Sequence, residues 1–142
     1  MSRMTLDLAN SLIAAVLGRG AELGLKPLSV AVLDPGGHLL AFQRQDGGSN
    51  LRPQIAMAKA SGALALGVSS RAIAAMAAER PTFVAALGSI SLQGVIPAAG
   101  GVIVVNAEGQ VVGAVGVTGD TSDNDEACAL AGLAAVGLTP QV

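Results

Sequence analysis

Apolar side chains recur along this chain with two different periods. After Thr5, which suits an N-cap, Leu6, Ala9, Leu12, Ile13, Val16 and Leu17 follow at helical spacing. The stretch from Gly20 to Gly24 ends that helix, and Pro27 forbids its continuation. Leu28 to Leu33 is a short run rich in β-branched residues, Asp34-Pro35-Gly36-Gly37 supplies turn chemistry, and His38 to Arg44 resumes an extended pattern. Together they predict a hairpin. Asp46 to Asn50 is a loop. Pro53 suits the first turn of a second helix reaching about Leu66, Ser69 or Ser70 caps a third helix ending at Glu79, and Pro81 starts a short fourth helix to Leu87. Glycine and proline make Gly88 to Gly101 irregular. Val102 to Val105, the turn Asn106-Ala107-Glu108-Gly109 and Gln110 to Val117 predict a second hairpin. Asp123 is the expected N-cap of the last helix, with Glu126 as its capping-box partner, and that helix runs to Val136 and stops at Gly137.

Helix, hairpin, helices, hairpin, helix is an α+β order with an antiparallel sheet, not a doubly wound nucleotide fold. Neither an internal repeat nor a linker interrupts it, so residues 1–142 read as a single domain. Composition narrows the function classes. The chain is 51% hydrophobic and 13% charged, with two Phe, no Tyr and no Trp. So few rings exclude an aromatic platform for bases, and a net charge of -2 argues against a phosphate-backbone binder. The longest apolar stretches break well short of the ~20 residues that span a bilayer. Asp7 stands where a signal peptide would carry its apolar region, so a cytoplasmic protein is expected, with neither nucleic acid nor membrane as partner. Too few charges to cover a monomer's surface point to a homo-oligomer, a dimer or larger.

Scarcity makes the remaining charges informative. Arg52, Ile55 or Ala56, Lys59 and Ala63 share one helical face, and Arg44 and Asp46 close the preceding strand toward the same loop region. A lysine, two arginines and a carboxylate there suit a carboxylate or phosphate on a ligand, with arginine as the bidentate fork. The bland alternative has Lys59 reaching solvent and Arg44 paired with Asp46. A second cluster, Gly116 to Glu126, feeds a helix N-terminus with three aspartates and one glutamate. It fits a cation, or a pairing partner for Lys59 and Arg44, better than a phosphate. Within it, Asp123 and Glu126 are explained by capping, whereas Asp120 and Asp125 stay open. His38, the only histidine, is a turn residue, an axial haem ligand or a general base. Cys128 reads as a small buried hydrophobe. A single cysteine and the lack of His-Glu-x-x-His or EF-hand order leave no metal site expected.

One ordered set of short motifs goes further. Val30 to Leu39 with its Asp34-Pro35-Gly36-Gly37-His38 turn, Arg44-Gln45-Asp46-Gly47, Ile55-Ala56 with Lys59-Ala60, Pro97 with Gly100-Gly101-Val102, Gly109 to Gly119, and Asp125-Glu126 with Ala129 and Ala131-Gly132 resemble the GlcG/HbpS-like haem-binding family. They also resemble the C-terminal domain of PduO-type cobalamin adenosyltransferases. The resemblance covers nearly the whole chain. It implies an antiparallel sheet of about five strands flanked by helices, assembly into dimers or larger oligomers, and a small-molecule ligand, with haem the first candidate cofactor. The motif residues it carries over are Asp34, Gly36, Gly37, Arg44, Asp46, Gly47, Lys59, Gly100, Gly101, Gly116, Gly119 and Asp125. Gly48 after Asp46-Gly47, Arg52 within Asn50-Leu51-Arg52-Pro53, and the acidic loop from Gly119 to Asp123 depart from the commoner family pattern. They favour a small polar metabolite.

Two functions follow. In the first, a protein binds haem or a related tetrapyrrole, with propionates on Arg44, Arg52 or Lys59 and with His38 or Met57 as axial candidates. In the second, an enzyme acts on a small carboxylate of a catabolic pathway. Arg44 or Arg52 clamps the carboxylate, Lys59 is acid, base or electrostatic stabiliser, and Asp46 or Asp125 accepts a proton. Gly100, Gly101, Thr118, Gly119 and Asp120 are the expected ligand-facing backbone and loop positions. A third class, an assembly partner without a ligand, uses none of these residues.

Overall fold

The computed structural model describes residues 3–142. Helix α1 (Leu6–Glu22) opens where Thr5 Oγ1 accepts the Leu8 N–H at 3.2 Å. Strands β1 (Ser29–Leu33) and β2 (Leu39–Arg44) form the first hairpin. Helices α2 (Arg52–Leu66), α3 (Ser70–Glu79) and α4 (Pro81–Leu87) follow, and β3 (Gly101–Val105) and β4 (Val111–Thr118) form the second hairpin. Helix α5 (Ser122–Ala135) and the two-residue β5 (Thr139–Pro140) complete the chain. The sheet order is β2-β1-β4-β3-β5, with every pairing antiparallel. This is the α+β class that the element order predicts. Strand β5 is an addition to it, since two residues carry no alternation to read.

Because successive strand residues face opposite sides, the sheet sorts its side chains by function. Val30, Val32, Val102, Val104, Val115 and Val117 point to one face, where α1 and α5 cover them with Leu12, Ile13, Val16, Cys128, Ala129 and Leu133. Ser29, Ala31 and Leu33 of β1, and Ala114, Gly116 and Thr118 of β4, take the other face, under α2. Small residues there bring the helix backbone down onto the sheet. A Cβ on Gly116 would lie 2.0 Å from the Ala56 carbonyl oxygen. That close seat sets the depth at which α2 delivers Lys59.

The start of α5 differs from expectation. Thr121, extended at φ -66° and ψ 152°, is the N-cap, and its Oγ1 accepts the Asn124 N–H at 3.2 Å. Asp123 already lies inside the first turn and is therefore no cap. Its carboxylate turns outward to Arg71 at 2.5 Å, and Glu126 meets the same guanidinium at 2.8 Å, so neither forms a capping box. No single helix among the described residues is long and apolar enough to cross a membrane.

Candidate functional site

Five pieces of chain meet at the polar end of the sheet: the start of β1, the end of β4, the N-terminal half of α2, the N-terminus of α5 and the Gly100-Gly101 entry to β3. Lys59 reaches across from α2. Its Nζ donates to the Val117 carbonyl oxygen at 2.9 Å and to Asp125 Oδ2 at 3.2 Å, with Lys59 3% and Asp125 1% exposed. Asp125 Oδ1 accepts the Asp120 N–H at 2.9 Å. Burial pulls the Lys59 ammonium below its ordinary pKa, the Asp125 carboxylate opposes this, and neighbouring Arg52 adds to the lowering. Close packing shapes the surroundings. A Cβ on Gly100 would come 2.8 Å from Lys59 Nζ, one on Gly101 would come 2.1 Å from the Lys59 carbonyl oxygen, and one on Gly119 would come 2.1 Å from that of Pro27.

Asp120 braces the loop leading into α5. Its carboxylate accepts from Asn124 Nδ2 at 2.8 Å, from the Thr121 N–H at 2.9 Å and from the Lys26 N–H at 3.1 Å. Those donors, Asn124 foremost, hold its pKa down at about 2. Next to this brace, Arg52 opens α2 half-buried. Its Nη1 donates to Thr118 Oγ1 at 2.7 Å, and no carboxylate pairs with it among the described residues. Ser29 pairs with Thr118 on one side and with Arg44 on the other, so all three project from the α2 face in one row. Ser29 is 0% exposed, and its Oγ is without a hydrogen-bond partner among the described residues. Sequence reading passed over Ser29. It is the one polar residue inside the run Leu28–Leu33, which by itself does not set it apart from an ordinary strand residue.

The expected residues therefore divide. Lys59, Asp125, Arg52, Thr118, Gly100, Gly101, Gly119 and Asp120 gather at one end of the sheet, and Arg44 stands exposed at the edge of the same row, without an ion-pair partner among the described residues. Asp46 does not pair with Arg44. It lines a separate hollow with Gly20, Ala21, Leu25, Pro27 and Gln45. His38 lies beyond the opposite end of β1, about 13 Å or more along the strand direction from Ser29. Its ring is 80% exposed and meets Asp34 Oδ1 at 3.2 Å. The same Asp34 carboxylate accepts the His38 and Gly36 N–H groups, and the His38 bond does most to hold its pKa down. His38 borders a hollow of about 720 Å³ walled by Arg3, Met4, Leu6, Asp34 and Leu40, among others. Met57 opens onto yet another hollow, beside Leu39 and Leu92. Within one chain, His38 and the Arg52 cluster therefore lie toward opposite ends of β1. Burial pushes the Cys128 thiol up, against a role as nucleophile. Among the described residues, no three His, Cys, Asp or Glu side chains gather as a metal site.

Comparisons with known proteins agree with the architecture. The family model described as "Haem degrading protein HbpS-like" matches residues 4–134. Protein GlcG of Escherichia coli K12 is 33% identical over 115 residues, covering 78% of this chain and 81% of that protein. The crystal structure of Klebsiella pneumoniae protein ORFY superposes with a TM-score of 0.85 at 30% identity, over 96% of this chain and 92% of that one. A double mutant of Streptomyces reticuli HbpS gives 0.80 at 30% identity, over 95% and 88%. A PduOC:heme complex reaches 0.86 over 99% of both chains, but at 18% identity it speaks to the fold alone.

Proposed function

The chain belongs to the GlcG/HbpS-like family, and from that premise we propose that it is a small-ligand-binding protein whose ligand presents a carboxylate to Arg52. One observation carries this reading. Arg52 is half-buried, its guanidinium spends one hydrogen bond on Thr118, and no carboxylate among the described residues lies within ion-pair distance of it. A partly desolvated cation with donors to spare is favourable only when an anion completes it, and a planar carboxylate matches the guanidinium fork. Lys59 supports the same end of the site from beneath. It is held by Val117 and Asp125, so its charge acts over distance, with Asp125 and Asp120 fixing its position. The enzymatic version of this reading uses the same clamp and assigns acid–base work to the lowered Lys59 ammonium and to Asp125, with Asp46 outside it.

A second reading, haem binding, is favoured by a different place. The hollow beside His38 combines apolar walls from Met4, Leu6 and Leu40 with Arg3, which would take a propionate, and His38, which would hold the iron. Haem would supply redox and gas-binding chemistry there, while the protein's part is limited to orientation and charge. A second copy of this chain is the proposed partner. The six-residue edge strand β2 carries no charge before Arg44, and the chain from Pro81 to Ala107 carries none at all.

Calorimetry with propionate and benzoate, and a separate haemin titration, test the readings together. The wild type should bind a carboxylate, and Arg52→Ala should weaken that binding about tenfold or more, as loss of a charge-assisted pair does. Unchanged affinity in Arg52→Ala overturns the reading. A one-to-one Soret band lost in His38→Ala but kept in Arg52→Ala assigns haem to the second hollow, and broad, non-stoichiometric absorbance removes it.

A further inference from the structure

Ser29 is the one buried side-chain polar group among the described residues whose hydroxyl finds no partner. Smallness does not account for it. Ala31 of β1 and Ala114 of β4 meet the same need for close packing under α2 without a hydroxyl. An alanine at position 29 would avoid leaving a donor and an acceptor unsatisfied, a cost that native proteins seldom carry without reason. Its position supplies the reason. Ser29 sits directly opposite Thr118, the residue that Arg52 holds, and cross-strand pairs of this kind place their Cβ atoms about 4.5–5.5 Å apart.

We infer that Ser29 is a specificity-determining residue. It reads an oxygen on the carbon next to the ligand's carboxylate, so that the site prefers 2-hydroxy and 2-oxo acids to plain carboxylates. This rests on the carboxylate reading of Arg52. With the carboxylate on the Arg52 fork beside Thr118, the substituent on the adjacent carbon falls along the row toward Ser29. A hydroxyl serves either kind of acid, since it donates to a carbonyl oxygen and either donates to or accepts from an alcohol. Arg44, at the far end of the row, faces the outer part of the ligand. Because Ser29 is buried, binding requires the side chains over it to shift while Arg52 exchanges its single bond to Thr118 for the carboxylate.

Propionate, lactate and pyruvate share a three-carbon acid skeleton and differ at this one carbon. Calorimetry on the whole protein should find lactate or pyruvate bound about tenfold or more tighter than propionate, because a built-in polar group rejects the analogue that leaves it unpaired. Ser29→Ala should abolish that preference while propionate affinity stays within about twofold. Ser29→Cys, which keeps the size but donates weakly, should behave like alanine and guards against a fold defect in the first variant. If the wild type binds all three acids equally, or if both variants retain the preference, the role of Ser29 is overturned while Arg52 stands. If the wild type binds none of them, the Arg52 reading falls and the Ser29 inference falls with it.

Discussion

At the scale of single residues, the site depends as much on missing side chains as on charged ones. Gly116 lets the Ala56 carbonyl rest on β4, and so delivers the Lys59 ammonium to Val117 and Asp125. Neither partner in that contact is a flexible side-chain tip, so an added methyl must move backbone. Gly116→Ala should cost about 3 kcal/mol, at the upper end of overpacking effects, read as a lowered urea midpoint with the slope unchanged. A shift below about 0.5 kcal/mol would mean that α2 is not seated as described. Lys59 was legible in the sequence because a lysine inside Ile55-Ala56-Met57-Ala58-Lys59-Ala60 has few neighbours that could explain it. Ser29 was not, because an isolated serine in an apolar run reads as ordinary strand, and only the register shows that it faces Thr118.

At the scale of elements, the joint between β4 and α5 shows what periodicity leaves out. The sequence places a helix start near Asp123 correctly to within two residues, yet several oxygen-bearing side chains there compete for the cap, and backbone dihedrals decide in favour of Thr121. The neighbouring Asp120 ties this start to the residue ahead of β1 through Lys26. Its folded pKa of about 2 lies below the ordinary 3.8, so the folded state binds the proton less readily. The stability it contributes is complete above an ordinary carboxylate pKa and is lost as pH falls from 3.8 through about 2. Urea midpoints measured across that window should fall less steeply in Asp120→Asn than in the wild type. Equal slopes would show that the carboxylate does not brace the joint.

For the whole molecule, the order of helices and hairpins was legible because each element carries its own period, and family resemblance supplied the five-stranded count. What the sequence could not reveal was which ends of the strands coincide. His38 and Arg52 stand only fourteen positions apart, yet the first hairpin puts them at opposite ends of β1. The low charge content also acts at this scale. Ile90 and Leu92 stand exposed on a charge-free segment, Leu39 shares a hollow with Leu92, and Leu51 is exposed as well. A second copy covering Leu92 should give a mass of at least two chains by light scattering, and Leu92→Glu should reduce it to one. A monomeric wild type would contradict that assembly. Side-chain NMR of the six arginines shows whether Arg52 grips the ligand's carboxylate. On saturation with propionate, the Arg52 Nε–H resonance should move most. A spectrum in which Arg52 stays still while propionate is bound would contradict it.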